Sequence, residues 1–275
     1  MNKDEKTVEG FGFEWNHFDQ SMTDQSELFS VFNSYFAVFP WGDLPEGAEG
    51  FDLGCGSGRW AKFVAPRVGL IHCLDASSEA LESAKRNLAG VSNVTFHHSS
   101  VDSIPFADGT MDFGYSLGVL HHVPDTCAGL RSCVQKLKAG APFLLYLYYA
   151  FDNRPKWFYA TWKLSNLIRR GIAPLPNRPK LFLTEVIATL VYWPLARLAL
   201  VLERLGCKVD SLPLSAYRDK SFYTMRTDSF DRFGTRLEQR FTKSEIEKMM
   251  TSAGLERILF HQGEPYYCAV GFRSS

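Results

Sequence analysis

Short apolar runs alternate with helical patterns through the first half of the chain. Strands are expected near residues 51–54, 70–74, 94–98, 112–117 and 142–148, with helices near 58–66, 77–88 and 125–137. Strand–helix alternation with right-handed crossovers predicts a parallel sheet covered on both faces. Lys138-Ala139-Gly140 supplies a basic last turn and a glycine stop for the third helix. Far downstream, Thr242 and Glu245 have the spacing of a capping box and open another helix. Leu255 to His261 and Tyr266 to Phe272 then read as two closing strands. Ahead of the first strand, Glu27 to Phe39 is helical in pattern, with Leu28, Phe29, Phe32, Tyr35 and Phe36 along one side.

The stretch from 149 to 240 breaks the alternation. Between Arg154 and Lys180 there are seven Lys or Arg and no Asp or Glu, interleaved with Trp157, Phe158, Tyr159 and Trp162. Leu181 to Leu202 follows, apolar except for Thr184, Glu185, Thr189 and Arg197, with Pro194 inside it. Its length suits a membrane span, but the two charges and the proline argue for a buried helix instead. Basic and aromatic residues beside an apolar helix also suit a peripheral membrane contact through 154–202.

Composition narrows the class. With 275 residues and 45% hydrophobic content, one large α/β domain with an insertion is expected. Formal net charge is zero, so no global field favours nucleic acid. Met1 to Glu5 lacks the form of a signal peptide, and the six cysteines include no C-x-x-C, which points to a cytoplasmic protein with reduced thiols and no metal.

The candidate chemistry begins at Phe51-Asp52-Leu53-Gly54-Cys55-Gly56-Ser57-Gly58, a strand running into a glycine-dense turn. Such turns at the carboxyl ends of strands bind nucleotides in open α/β sheets. A dinucleotide fingerprint would need a glycine where Arg59 stands, and no G-K-[ST] ends the turn as a P-loop requires. Asp75 closes the second strand, where a carboxylate suits the hydroxyls of an adenosine ribose. A third block runs from Ser103-Ile104-Pro105-Phe106 through Asp112-Phe113 to Leu117-Gly118-Val119-Leu120-His121-His122-Val123.

These three blocks, D-x-G-x-G-x-G, the acidic strand end and the LPF…FD…LHHV-like stretch, resemble the class I S-adenosylmethionine-dependent methyltransferases, in particular the ubiquinone and menaquinone C-methyltransferase group. The resemblance implies a Rossmann-like seven-stranded sheet with helices on both faces and a helical cap inserted after the fifth strand. It divides the chain into an N-terminal arm or lid (1–50), a cofactor-binding core (51–148), a substrate cap (149–240) and a closing helix and strands (241–275). S-adenosylmethionine is the implied cofactor, held by Asp52, Gly54, Gly56, Gly58, Asp75, Ala76, Ser100, Val101, Leu117, Gly118 and His122, with Phe11 and Trp15 as lid residues. Ser100 stands where relatives often carry an acidic contact to the adenine amino group, which leaves that contact open between Ser100 and the Val101 backbone.

The implied reaction is methyl transfer from the sulfonium to a small-molecule acceptor, apolar or anionic, with O, N or C as nucleophile. A hydroxyl or carbon acid needs a base, and His121 titrates in the right range. Tyr148, Tyr149 and Tyr223 are further candidates for contact with the reacting acceptor. Arg218, Tyr223 and Arg226 have the character of an anion grip, though both arginines also have Asp219, Asp228 and Asp231 nearby in sequence. Two alternatives stay open: another reaction of the sulfonium, such as intramolecular cyclisation, and a non-catalytic interaction module. Oligomeric state is not legible.

Overall fold

In the computed structural model, which describes residues 2–20 and 23–275, the chain forms two compact units. One comprises residues 2–20, 28–150 and 237–275; the other comprises 23–27 and 151–236.

The first unit is built on a seven-stranded sheet: β1 (Glu49–Leu53), β2 (Leu70–Asp75), β3 (Val94–His98), β4 (Phe113–Leu117), β5 (Pro142–Tyr146), β6 (Leu255–Phe260) and β7 (Ala269–Arg273). Their order is β3-β2-β1-β4-β5-β7-β6. The first five are mutually parallel, and β7 runs antiparallel to both neighbours. Strand order reverses between β1 and β4, so the carboxyl ends of these strands flank the switch point, where open sheets of this type bind ligands. The helices are α1 (Glu5–His17), α2 (Gln25–Tyr35), α3 (Ala61–Val64), α4 (Ser78–Asn87), α5 (Thr126–Lys136), α6 (Lys156–Ile172), α7 (Asn177–Ile187), α8 (Trp193–Arg204), α9 (Phe222–Gly234) and α10 (Lys243–Ser252).

Each face of the sheet has its own core. One is aromatic, with Phe32, Phe36, Phe39, Trp60 and Tyr115. The other is largely aliphatic, with Leu53, Leu74, Leu130, Leu145 and Met250 around Phe51 and Phe143. Every expected strand is present, and Thr242 with Glu245 closes the capping box at α10.

The departures are local. The helix after the glycine turn is a single α-turn followed by a 3-10 turn at Ala65–Arg67, because Pro66 removes an amide that a longer helix would need. The fifth strand stops at Tyr146. The last begins at Ala269, three residues later than its apolar run suggests. Residues 5–17, expected only as an arm, form α1, capped by Asp4, whose carboxylate accepts the Thr7 amide at 2.8 Å.

The second unit is helical. Both α6 and α7 pack on α9, and α7 continues through a π-helical turn (Ala188–Tyr192) into α8. Its core holds Ile172, Tyr192, Ala196, Met225 and Phe233.

Candidate cofactor and acceptor site

The glycine turn is fixed by main-chain bonds before any side chain acts. Leu74 O accepts both the Gly54 and Cys55 amides, at 2.8 and 3.0 Å. The turn then bends back on Asp75: Oδ2 accepts the Gly56 amide at 2.9 Å and Oδ1 accepts the Ser77 amide at 2.9 Å. A carboxylate has about four acceptor positions, so these amides leave room for a further donor. Burial raises the Asp75 pKa, opposed by these amide bonds and by His98.

Gly54 and Gly56 both have left-handed backbones, with φ of +77° and +54°. A side chain at Gly54 would strike Val119 at 2.4 Å, and one at Gly56 would strike the Trp15 ring at 2.8 Å. Gly118 is different. Its φ is +80°, yet a Cβ there meets nothing within 4 Å. The space beside Gly118, at the carboxyl end of β4, is therefore open.

Asp52 is buried and its Oδ2 has no hydrogen-bond partner; it faces the Tyr115 hydroxyl without closing a bond of ordinary geometry. Desolvation pushes its pKa up to about 8, only partly offset by Tyr115 and Arg59. An unpartnered buried carboxylate of this kind is stabilised by any cation brought beside it.

The N-terminal helix supplies one wall. The Trp15 ring lies against Gly56, and the Arg59 guanidinium sits over both Trp15 (5.2 Å) and Trp60 (4.4 Å). Arg59, which breaks the dinucleotide fingerprint, is thus a clamp on the indole. The helix is tied down by Ser83 donating to Trp15 O at 3.0 Å and by Asn87 donating to Asp19 O. Phe11, one turn earlier, meets the His122 ring at 4.9 Å between centroids.

The turn after β4 carries the histidine pair. His122 Nδ1 donates to Leu237 O at 2.6 Å. His121 is fully buried, neither of its ring nitrogens has a hydrogen-bond partner, and its ring lies on Tyr148 at 3.8 Å. Desolvation, then His122 and Arg240, hold its pKa well below 6.5. The imidazole is neutral at pH 7 but a weak proton acceptor, which removes the titration-range argument for it as the base.

Sequence reasoning missed the strap from Leu237 to Phe241. Gln239 N donates to His121 O, Phe241 N to Tyr148 O, and Gln239 Nε2 to Val123 O at 2.7 Å. Arg240 lies over the Tyr148 ring at 4.9 Å, with its Nε on Glu238 at 2.9 Å. Leu237 to Arg240 group with the sheet unit, whereas the sequence reading placed them in the 149–240 stretch.

The other predicted residues are spread more widely. Leu117 is buried at the end of β4, and Ala76 O faces His98 Nε2 at 2.9 Å beside Asp75. Ser100 hydrogen-bonds Asp102, and Val101 is buried against α5. Tyr149 does not join the His121–Tyr148 pair; its ring lies toward Tyr266 and Tyr267, at 5.3 and 5.7 Å. Arg218, Tyr223 and Arg226 lie in the helical unit. There Arg226 pairs with Glu185 at 2.6 Å and Arg218 with Glu203 at 2.9 Å, not with the aspartates nearest in sequence, apart from a longer Arg218–Asp219 approach at 3.7 Å.

Comparison with known proteins agrees with this geometry. Residues 51–145 match a family described as a methyltransferase domain. An uncharacterized methyltransferase of Bacillus subtilis is 33% identical over 104 residues, which is 37% of this chain and 41% of that protein. A demethylmenaquinone methyltransferase of Bacillus licheniformis is 30% identical over 102 residues, 36% of this chain and 44% of its own length. The chain thus spans less than half the length of these curated relatives. Among solved structures, a SAM-dependent methyltransferase from Aquifex aeolicus superposes with a TM-score of 0.52 at 15% identity, over 94% of this chain and 96% of that one. Over residues 51–145 the chain is similar to methyltransferase domains, and its fold is that of a solved S-adenosylmethionine-dependent methyltransferase. The residues present fit that cofactor: a carboxylate with room for a further donor, an unpartnered buried carboxylate, and an open space at Gly118.

Proposed function

We propose that this protein transfers the methyl group of S-adenosylmethionine to a small-molecule acceptor. The carrying observation is the glycine turn bonded to Asp75 beside the open space at Gly118. In this reading Asp75 receives a ribose hydroxyl on its remaining acceptor position, with Ala76 alongside. Ser100 and the Val101 main chain border the adenine, and Leu117 and Gly118 border the methionine part. Asp52, which holds a proton in the empty fold, balances that part's positive charge once the proton leaves, and Trp15 and Phe11 close the N-terminal side. The bound cofactor supplies a methyl already activated on a sulfonium.

What the chain must add is chiefly placement, since holding a nucleophile in line is worth about 7–11 kcal/mol. Tyr148, at the carboxyl end of the sheet and under the Arg240 guanidinium that Glu238 neutralises, gives that wall an aromatic surface, which suits an apolar acceptor. His121 keeps Tyr148 in place by ring contact and not by proton transfer. Acceptor selectivity is carried by the helical insertion (151–236), which includes Arg218, Tyr223 and Arg226.

Calorimetry with S-adenosylmethionine, S-adenosylhomocysteine and NAD tests the cofactor. Micromolar binding of the first two and none of NAD is expected; no binding of either sulfonium-derived ligand would sink the reading in favour of an interaction module. Incubation with phenolic, carboxylate and amine acceptors then separates reactions. S-adenosylhomocysteine is the product of transfer, whereas methylthioadenosine alone would mean cyclisation.

A further inference from the structure

The helical unit exposes far more apolar surface than a free-standing helical bundle requires. On α6, Trp157, Leu164, Leu167 and Ile168 are exposed, with both leucines at 63%. Along the helix from α7 into α8, Phe182, Leu190, Leu198 and Leu205 are exposed at 68%, 69%, 52% and 74%. Apolar patches of such extent mark docking surfaces.

Along α6 and at the start of α7 the charges have one sign, and Glu203, at the far end beside Leu205, is paired with Arg218 at 2.9 Å. Lys156, Lys163 and Arg170 recur every seventh residue along one edge of the apolar face of α6, all exposed, and Arg178 is exposed at the start of α7. From Asn153 to Leu202 the only carboxylate is Glu185, and Arg226 holds it at 2.6 Å. Trp157 and Tyr159 lie at the start of α6, the residue types that favour a bilayer's headgroup zone.

We propose that this face docks on an anionic lipid bilayer, with α6 and the α7–α8 helix lying in the interface and the cations against the headgroups. The inference stands independently of the methyl-transfer reading.

Two other occupants fit less well. The α7–α8 helix, Asn177–Arg204, is long and apolar enough to span a membrane, with a mean hydropathy of 1.6 over an 18-residue stretch of it. Yet one side of it is committed to the unit. Thr184, Ala188, Ala196 and Ala199 are buried, Ser229 donates to Thr184 O, and Arg197 donates to the carbonyls of Arg218 and Lys220. Spanning would strip those contacts. A second copy on the same face would bring the Lys156–Lys163–Arg170 row toward its own like-charged image.

The test is flotation of the full chain with vesicles of phosphatidylcholine alone and of phosphatidylcholine with phosphatidylglycerol. Flotation is expected with the anionic vesicles, weakened by salt. Lys156→Gln, Lys163→Gln and Arg170→Gln should each weaken partitioning about fivefold. Leu164→Glu with Leu167→Glu should abolish it while leaving circular dichroism and the melting temperature unchanged, since neither side chain is in the core. No flotation overturns the proposal. So does resistance of bound protein to alkaline carbonate extraction, which would mean spanning, and so does a sedimentation dimer abolished by the Leu164 and Leu167 changes, which would mean self-association.

Discussion

The Asp75 carboxylate and the Gly56 amide meet at 2.9 Å, so the acidic residue that ends β2 also shapes the glycine turn that follows β1. The same side chain therefore serves both the empty fold and the ligand. Asp75→Ala should weaken S-adenosylmethionine binding tenfold or more. It should also destabilise the folded chain by about 1–3 kcal/mol, because amides are left without an acceptor. Asp75→Asn keeps one acceptor oxygen and should retain more of the stability than of the affinity. Calorimetry and denaturant melts on both variants separate the effects; unchanged affinity in the alanine variant would remove Asp75 from the ribose role.

The glycines differ in what surrounds them, and alanine should reveal it. Gly54→Ala adds a methyl 2.4 Å from Val119 on a backbone at φ +77° and should destabilise strongly. Gly118→Ala meets open space, so its cost should be only the left-handed strain, about 1–2 kcal/mol. The Gly118 variant should nevertheless lose cofactor affinity more than stability. A Gly118→Ala protein that binds S-adenosylmethionine normally would show that the open space lies outside the ligand.

Asp52 gives a pH dependence of definite sign. Its folded pKa, about 8, lies above the unfolded value, so the folded state holds the extra proton between about pH 4 and that point. Stability from this group is fully present below the lower limit and is lost as pH rises through the window. Asp52→Asn should flatten that decline and raise the melting temperature at pH 8 by several degrees. Parallel melting curves of the two proteins across the window would contradict it.

Thr242 accepts the Glu245 amide at 3.3 Å, and Glu245 returns a bond to the Thr242 amide at 2.8 Å. Thr242→Ala should cost about 1 kcal/mol. Denaturant unfolding reads the loss, and cofactor affinity should not change.

The sheet was legible because its strands are short apolar runs punctuated by glycine and by helix caps, all local signals. Motif spacing located Asp52, Asp75 and the glycine turn for the same reason. Helix α1 was hidden by Gly10 and Gly12, poor helix formers. Gly12 is explained only in three dimensions, since a Cβ there would lie 2.5 Å from Ser77 Oγ. The Leu237–Phe241 strap has no periodicity, and its role lies in main-chain bonds to His121, His122 and Tyr148, which no local pattern reports. The Glu203 and Glu185 partners of Arg218 and Arg226 were missed because helix packing brings them in from 15 and 41 positions away, while Asp219, beside Arg218 in sequence, makes the longer approach.

That strap has a bearing on how the protein is made. The bond from His122 to Leu237 O joins residues 115 positions apart, and β7, seventh in chain order, lies between β5 and β6. A nascent chain that has left the ribosome only as far as residue 150 already contains every family motif. It still lacks the cover over its histidine pair and the strand that pairs with β5. The helical insertion must emerge in full before either arrives. Maturation of the site therefore waits until β7 is made, and the half-made sheet exposes an unpaired β5 edge until then.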